Sequence, residues 1–375
     1  MNKYPVLIFD PELRYLAQID NYEYLQWTRR WRNPHTWELQ INRNKTNAEY
    51  LQADNFIAVK RGGKWRAGII AHRELPLTQE GKLSETWTVK GRDFSGVFLE
   101  RLALHLTDTG SGYDEQRGIA EQVMRHYVKV NCIEPSNPDR VIPFLQLGLN
   151  YARGQTVEMR ARFQTVAALL ENLSFASGLG YETLFDLEST SFSFNVLSGR
   201  NLTPSQTEHP PVIFSPEFDN VESMAFRHSI LDSKNVAIVG GKREAQDRLV
   251  VSVANGSPKG IKRREVFIDA RDLETAEQLL QRGNERLAEY GEELVMEFQH
   301  LPWGPFKYGI DFDLGDIVHA RYPGVGSTES RIVGVVEELT PDRGEAVRLV
   351  VGKEWPDLVS VWKADRRNLE TEVRR

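Results

Sequence analysis

Cysteine is nearly absent: Cys132 is the only one among 375 residues. One thiol cannot close an intrachain disulfide, build an iron–sulfur cluster or supply a thiolate zinc finger. Long apolar runs are missing too, and none approaches the roughly 18 residues that cross a bilayer as a helix. The opening MNKYPVLIFDPEL has one short apolar patch, interrupted by Asp10 and Pro11, and reads as a first strand rather than a secretory leader. There is no surplus of positive charge either. Lys and Arg number 47 against 53 Asp and Glu, a formal charge of −6. A protein that holds nucleic acid by neutralising phosphates needs at least a local basic stripe, so general DNA affinity is not expected.

The familiar catalytic signatures are also missing. There is no HExxH, no GxSxG and no GxGxxG after a strand. Gly240-Gly241-Lys242 follows the apolar VAIV, but Val236 stands where a phosphate loop needs its first glycine, and Arg243 where it needs Ser or Thr. It reads as a strand and a turn. Ser360-Val361-Trp362-Lys363 fits SxxK without its partner motifs and reads as part of a C-terminal helix. The eight histidines never form an i, i+4 pair; His105 and His126 lie on expected helices as surface or core residues. Adjacent carboxylates such as Glu292-Glu293 and Glu337-Glu338 point to opposite faces of a strand, so neither pair flanks one glycosidic bond. The sequons at Asn172, Asn201 and Asn255 carry no weight without a secretion signal.

What is present suits a soluble globular protein with more than one packing unit: 40% hydrophobic residues, 8 Trp and a mass of 43.0 kDa. From Ile19 to Arg92 the chain reads as strands and turns, with period-two alternation clearest at Trp37-Glu38-Leu39-Gln40-Ile41. A helix is expected from Asp93 to about Leu106, a second from near Asp114, and a third from about Thr165 to Ser177 with Gly178 as its stop. YETLFDLESTSFSFNVL reads as a hairpin. Ser198–Pro211 is the best linker candidate. Strands resume at Pro211–Phe214, Lys234–Val239, RLVVSVA and REVFIDA. A helix capped by Asp272 and ended by Gly291 follows, then strands from Leu294 to Val351 and a charged helical tail.

Two features ask for interpretation. WTRRWRNPHTW interleaves Trp27, Trp31 and Trp37 with Arg29, Arg30 and Arg32, a pattern used for single-stranded nucleic acid or glycans. The reading favoured by the rest of the chain is a strand with core tryptophans on one face and paired arginines on the other. Second, Asn55-Phe56-Ile57-Ala58-Val59-Lys60 parallels Asp316-Ile317-Val318-His319-Ala320-Arg321. The same 36 residues further on come Gly91-Arg92 and Gly352-Lys353. An internal duplication of a short β-unit is one explanation, with Asn55, Gly91, Asp316 and Gly352 as its landmarks. Two unrelated meanders are the other.

Several segments in order carry a resemblance: VLIFDPELRYLAQIDNYEYLQWTRRW, ADNFIAVKR, TVKGRDFSGVF, PPVIFSPEFDNV, SKNVAIVGG, RREVFIDARDL and FKYGIDFDLGDIVHAR. The series resembles the siphophage tail-tip hub family, Gp37-like tail proteins, similar to the N-terminal part of tail-associated lysins and to the hub of contractile baseplates. The resemblance implies an α+β, multidomain fold with two related antiparallel, tail-tube-like β-barrel domains and two smaller α/β mixed domains. It places the first barrel at 1–98, a mixed domain at 99–205, and the second barrel at 206–245 and 295–355. A small α/β domain falls at 246–294 and a helical tail at 356–375. It implies a non-enzymatic virion protein, made in the host cytoplasm and placed at the tail tip or baseplate. Three copies, each with two barrels, would match a six-fold tube to a three-fold tip and form the DNA exit channel. The implied partners are itself as a homotrimer, a distal tail or tail-tube protein, a tape-measure protein, a tip spike or fibre protein, and DNA only in transit. No catalytic, cofactor or metal residue is implied. The chain ends soon after the expected second barrel, where many lysins continue, so lytic activity is not expected. Other classes that remain are a cell-wall hydrolase and a glycan-binding protein using exposed tryptophans such as Trp31.

Overall fold

The computed structural model describes residues 4–352 apart from 78–80, 82–83, 105–111, 243–246, 272 and 342–343. The first strands are β1 (Val6–Phe9), β2 (Tyr15–Ile19), β3 (Tyr24–Arg30), β4 (Thr36–Asn42), β5 (Phe56–Arg61), β6 (Lys64–Glu74) and β7 (Thr86–Asp93). A mixed region follows, with β8 (Asp114–Ile119), α1 (Ala120–Val128), β9 (Leu145–Leu147), β10 (Thr156–Ala161), α2 (Val166–Ser177), β11 (Gly180–Asp186) and β12 (Ser191–Leu197). Then come β13 (Ile213–Phe214), β14 (Val221–Ser229), β15 (Val236–Gly240), β16 (Val250–Ala254), β17 (Glu265–Asp269) and α3 (Ala276–Glu289). The last strands are β18 (Glu293–His300), β19 (Ile317–Tyr322), β20 (Gly326–Thr340) and β21 (Gly344–Gly352).

Alternation explains the strands. In β3 every second residue is buried, placing Leu25, Trp27 and Arg29 inward; β4 does the same with Trp37, Leu39 and Ile41. Most strands join one 16-stranded sheet with the path β14-β18-β21-β20-β3-β4-β7-β6-β11-β12-β9. β5 and β1 branch from β6, and β19 and β13 branch from β20.

That path contains the same unit twice. The first runs β3-β4-β7-β6-β5 and the second β14-β18-β21-β20-β19, each in the same chain order. β6 and β20 each carry an irregularity just past the end of the pairing with β5 or β19, between Ile70 and His72 and between Ile332 and Gly334. At the bulge Asp54 N–H donates to Ile70 O (3.0 Å) and Ile70 N–H to Asn55 O (2.8 Å). Gly315 N–H donates to Ile332 O (2.9 Å) and Ile332 N–H to Asp316 O (2.8 Å). Asn55 and Asp316 therefore hold corresponding positions. The glycines do not: Gly91 lies opposite Ile70, whereas Val351, one residue before Gly352, lies opposite Ile332. The units differ at their ends, where β1 meets β5 antiparallel but β13 meets β19 parallel.

Several expectations need correction. Among the described residues no sheet closes into a barrel. β3 pairs with β4 on one side and with β20 of the other unit on the second, so it is not available to close the first unit on β2, which pairs with β1 alone. The helix expected from Asp93 is a six-residue 3-10 segment, Phe94–Leu99, and Asp93 does not cap it. Beyond it the backbone is extended, with Ala103 N–H bound to Gln164 O at 2.7 Å. Asp114 opens a strand, β8, paired with β10, and the helix starts only at Ala120. The Lys234–Val239 strand is β15, which joins β16, β17 and α3 in a separate three-stranded unit rather than the 295–355 strands. The Ser198–Pro211 stretch is fastened: Leu202 and Thr203 are buried, and Leu202 N–H donates to Ile317 O at 2.8 Å. α2 follows expectation, with Thr165 Oγ1 accepting from Ala168 N–H (3.2 Å) and Gly178 at φ 76° as its left-handed stop. α3 is capped by Thr275 and Gln278 in a capping box; Asp272, His105 and the expected tail lie outside the described residues.

The hydrophobic core is divided among four clusters. One lies under β1–β7 and takes in Leu339 of β20, and one packs β5, β6 and the Phe94–Leu99 segment against α1, α2, β11 and β12, so it runs across the 98/99 boundary. A third fills the second strand unit and includes Trp31, and the fourth lies under α3.

Candidate functional site

The two strand units meet where β3 lies antiparallel to the C-terminal half of β20, from Arg30 opposite Gly334 to Leu25 opposite Leu339. This seam carries a buried charge cluster. Glu337 on β20 is 1% exposed and reaches across to the other unit. Its carboxylate accepts from Arg66 Nη1 at 2.7 Å to both oxygens, from Arg61 Nε at 3.1 Å and from Tyr308 OH at 2.5 Å. Arg29, on β3, donates to Tyr308 OH (2.8 Å), Asp313 (2.5 Å) and Glu182 of β11 (3.3 Å). Arg61 also pairs with Glu345 on β21. Burial pushes the Glu337 carboxyl up, but Arg66, Arg29 and Arg61 outweigh it and hold its pKa at about 2. Such a cluster adds little net stability over an apolar core, yet losing one partner leaves an uncompensated buried charge. It therefore fixes how one unit sits on the other.

Trp31 closes the end of the seam. The ring is fully buried, Nε1 donates to Gly178 O at 3.2 Å, and the Arg331 guanidinium lies 4.9 Å from the ring centroid. Two glycines make room: a Cβ on Gly180 or Gly315 would stand 2.4 or 1.9 Å from ring atoms. Gly315 is also at φ +91°, where a side chain is strained. Beside it Asp316, nearly buried, accepts from Arg200 N–H (2.7 Å) and Arg200 Nη2 (2.6 Å), tying the 198–203 segment to β19. Arg29, Lys64, Arg153, Glu182, Arg200 and Asp313 line an open cleft of about 240 Å³ here.

The surroundings offer little for chemistry. Among the described residues no group of three or more His, Cys, Asp or Glu is placed to hold a metal ion, and no helix is long and apolar enough to cross a membrane. Burial pushes the Cys132 thiol up to about 12. Glu337 is fully engaged, and its neighbour Glu338 faces outward to Arg348. Trp27, Trp31 and Trp37 are all 2% exposed or less, so none presents a platform to a glycan.

Residues 5–353 match the model of the Siphovirus ReqiPepy6 Gp37-like protein family. The chain belongs to that family. No curated protein matches it. Among solved structures it is similar to the 43 kDa tail protein of prophage MuSo2 from Shewanella oneidensis, at 15% identity and TM-score 0.59, covering 92% of this chain and 98% of that one. A tail protein from Neisseria meningitidis MC58 gives 13%, 0.56, 94% and 97% in the same terms. Prophage tail protein gp18 from Listeria monocytogenes EGD-e gives 12%, 0.55, 97% and 99%. At these identities the likeness is one of fold.

In this Gp37-like chain the four landmarks do not form one site. Asn55 and Gly91 flank Ile70, on β6, while Asp316 and Gly352 lie around Ile332, on β20. Sequence reasoning missed the seam cluster. Arg29 was expected on the face opposite the tryptophans, but it shares the inward face with Trp27. The available signal was a charged residue at an inward position of an alternating strand: Arg29 after Trp27, and Glu337 within Val335-Val336-Glu337-Glu338-Leu339.

Proposed function

We propose that this chain is a non-enzymatic structural protein of a phage or prophage tail, and that three copies form a hub at the tail tip or baseplate. The observation that carries the reading is the doubled strand unit, with matching order and matching bulges at Ile70 and Ile332. A trimer of such chains presents six look-alike units. It meets a six-fold tube on one face and carries a three-fold tip on the other. The rigid seam at Glu337 suits this role, because an adaptor works only if its two units hold a fixed relation.

The ring leaves a central passage for DNA. A formal charge of −6 per chain disfavours trapping of phosphates by counterion release, so DNA moves through without being held. On this reading the neighbours in the virion are a distal tail or tail-tube protein on one face, a spike or fibre protein on the other, and the tape-measure protein in the bore. The fold shared with three tail proteins, two of them from prophages, supports the placement.

The test is the mass of the purified chain by light scattering across a concentration series. Three times the 43.0 kDa chain mass is expected at the upper end. A mass that stays at one chain, or settles at two, contradicts the reading.

A further inference from the structure

The seam uses one edge of each unit, β3 of the first and the C-terminal half of β20 of the second. The repeat supplies the counterparts. β14 stands in the second unit where β3 stands in the first, and β6 stands where β20 does. Both counterparts have a free edge. β14 pairs with β18 on one side and, among the described residues, with no strand on the other. β6 from His72 onward pairs with β7, and among the described residues no strand lies along its other side. The molecule thus carries the two halves of a second seam on different strand units.

Registers carry the correspondence to single residues. Trp27 lies opposite Trp37, which lies opposite Gly91; Phe226 lies opposite Met296, which lies opposite Val351. Because Gly91 and Val351 correspond, Phe226 takes the place of Trp27. Past the bulge His72 lies opposite Lys90 and Gly334 opposite Val350, so His72 corresponds to Gly334 and Leu75 to Glu337. In the seam Glu337 lies opposite Trp27. The second seam then puts Leu75 opposite Phe226, Leu77 opposite Met224 and Glu74 opposite Arg227.

We propose that a second copy of this chain is the partner of both edges: β14 of one copy pairs antiparallel with residues 72–77 of the next, in the register of the internal seam. Nothing in the derivation of the register used side-chain character, yet it brings apolar residues to apolar ones and a carboxylate to a guanidinium. Leu77 is 65% exposed in the single chain, and Ile230, the counterpart of the sealing Trp31, is 45% exposed. Pro76 fits as well. Trp31 N–H donates to Val333 O (3.0 Å), so hydrogen-bonded pairs in the seam alternate from there, and the counterpart of Pro76, Glu338, falls at a non-hydrogen-bonded place. A proline is tolerated there, and its own carbonyl accepts Ser84 N–H (2.9 Å) on the β7 side. The contact is heterologous, head to tail: it builds a ring where the rotation closes and an open chain where it does not. Closure at three copies rests on the hub reading above.

The experiment uses the full chain with Glu74→Cys and Arg227→Cys together. Cys132, the one native cysteine, is buried, so background linking is low. Glu74 and Arg227 take a non-hydrogen-bonded place, where facing side chains approach most closely. Mild oxidation is expected to link copies up to a closed species of three chains, and Arg73→Cys with Arg227→Cys, whose side chains lie on opposite faces, is expected not to link. His228→Pro removes an N–H aimed at the open edge and is expected to raise the concentration for half-assembly about tenfold or more, with an unchanged circular dichroism spectrum. Three-chain assembly by mass without linking at 74 and 227 overturns the edge pairing and leaves the hub reading standing. Linking into open chains that do not stop at three supports the pairing and overturns the hub reading. A chain that stays single at every concentration and never links overturns both.

Discussion

Ile70 and Ile332 occupy the same place in two different strand units. Each exchanges a pair of backbone hydrogen bonds with the turn before the neighbouring strand, to Asp54 and Asn55 in one case and to Gly315 and Asp316 in the other. Each then passes into a bulge, just past the point where the pairing with β5 or β19 ends. The hydrogen bonds and the bulge together define the equivalence more tightly than strand order alone, since meanders are common and matched bulges are not.

The seam depends on Glu337. Glu337→Gln leaves three guanidiniums with one fewer counter-charge in a buried site and is expected to destabilise by about 3–5 kcal/mol. Glu338→Gln, at the outward-facing neighbour of Arg348, is expected to change stability by less than about 1 kcal/mol. Chemical denaturation of the two variants side by side checks the contrast.

Asp93 gives a pH signature. Burial lifts its pKa to about 7, only partly offset by hydrogen bonds from Ser95, His35 N–H and Thr183. The unfolded chain loses this proton near the ordinary value of 3.8 while the folded chain keeps it to about 7. Stability from this group is therefore full below the unfolded pKa and is lost as pH rises through the folded one, by up to about 4 kcal/mol. Asp93→Asn, which preserves an acceptor for Ser95 and His35 N–H, is expected to flatten the melting temperature between pH 4 and 7 and to raise it at pH 8. Identical slopes in the two proteins contradict the assignment. Buried His35 works the other way, its pKa held well below the usual value by burial and by Arg29 and Arg66, so its contribution falls as pH drops.

Trp31 makes a steric prediction. Trp31→Ala empties a filled, fully buried site and is expected to cost about 3–5 kcal/mol. Gly180→Ala, whose new Cβ meets the ring at 2.4 Å, is expected to lower the melting temperature in the native background. It should do so far less in the Trp31→Ala background, where the ring is gone. Additive losses in the double variant would show that the two residues do not share this contact.

Cys132 is buried, with its thiol pKa pushed up to about 12 by that burial. A thiol reagent at pH 8 is expected to label none of the folded chain within minutes and one equivalent per chain once denaturant is added. Rapid labelling of the native protein contradicts the packing around α1.

Much of the strand pattern was legible because alternation is a local property. Trp37-Glu38-Leu39-Gln40-Ile41 shows its buried face in the sequence itself, and so does the Asn55/Asp316 correspondence, where a polar residue leads into an alternating strand. The second pair of landmarks slipped by one residue for a packing reason. A Cβ on Gly91 would stand 1.9 Å from the Ile69 carbonyl oxygen and 2.6 Å from the Trp37 ring. In the second unit Met296 stands in Trp37's place, and Val351 fits where Gly91 was. Glycine here answers to the close approach of the Ile69 backbone and the Trp37 ring and does not mark the repeat. The Asp93 helix misled because Phe94 and Phe98 have helical spacing, while the Asp93 carboxylate is engaged by His35, Ser95 and Thr183 from three elements. The seam cluster was invisible because its members lie far apart in the chain: Arg61 and Glu337 are separated by 276 residues.

Rotational analysis of images of the assembled particle, viewed down its axis, tests the central claim most directly. Three chains that each contribute two look-alike strand units should give three-fold symmetry with a strong sixth harmonic. A three-fold particle without that harmonic, or a two-fold one, would contradict the account.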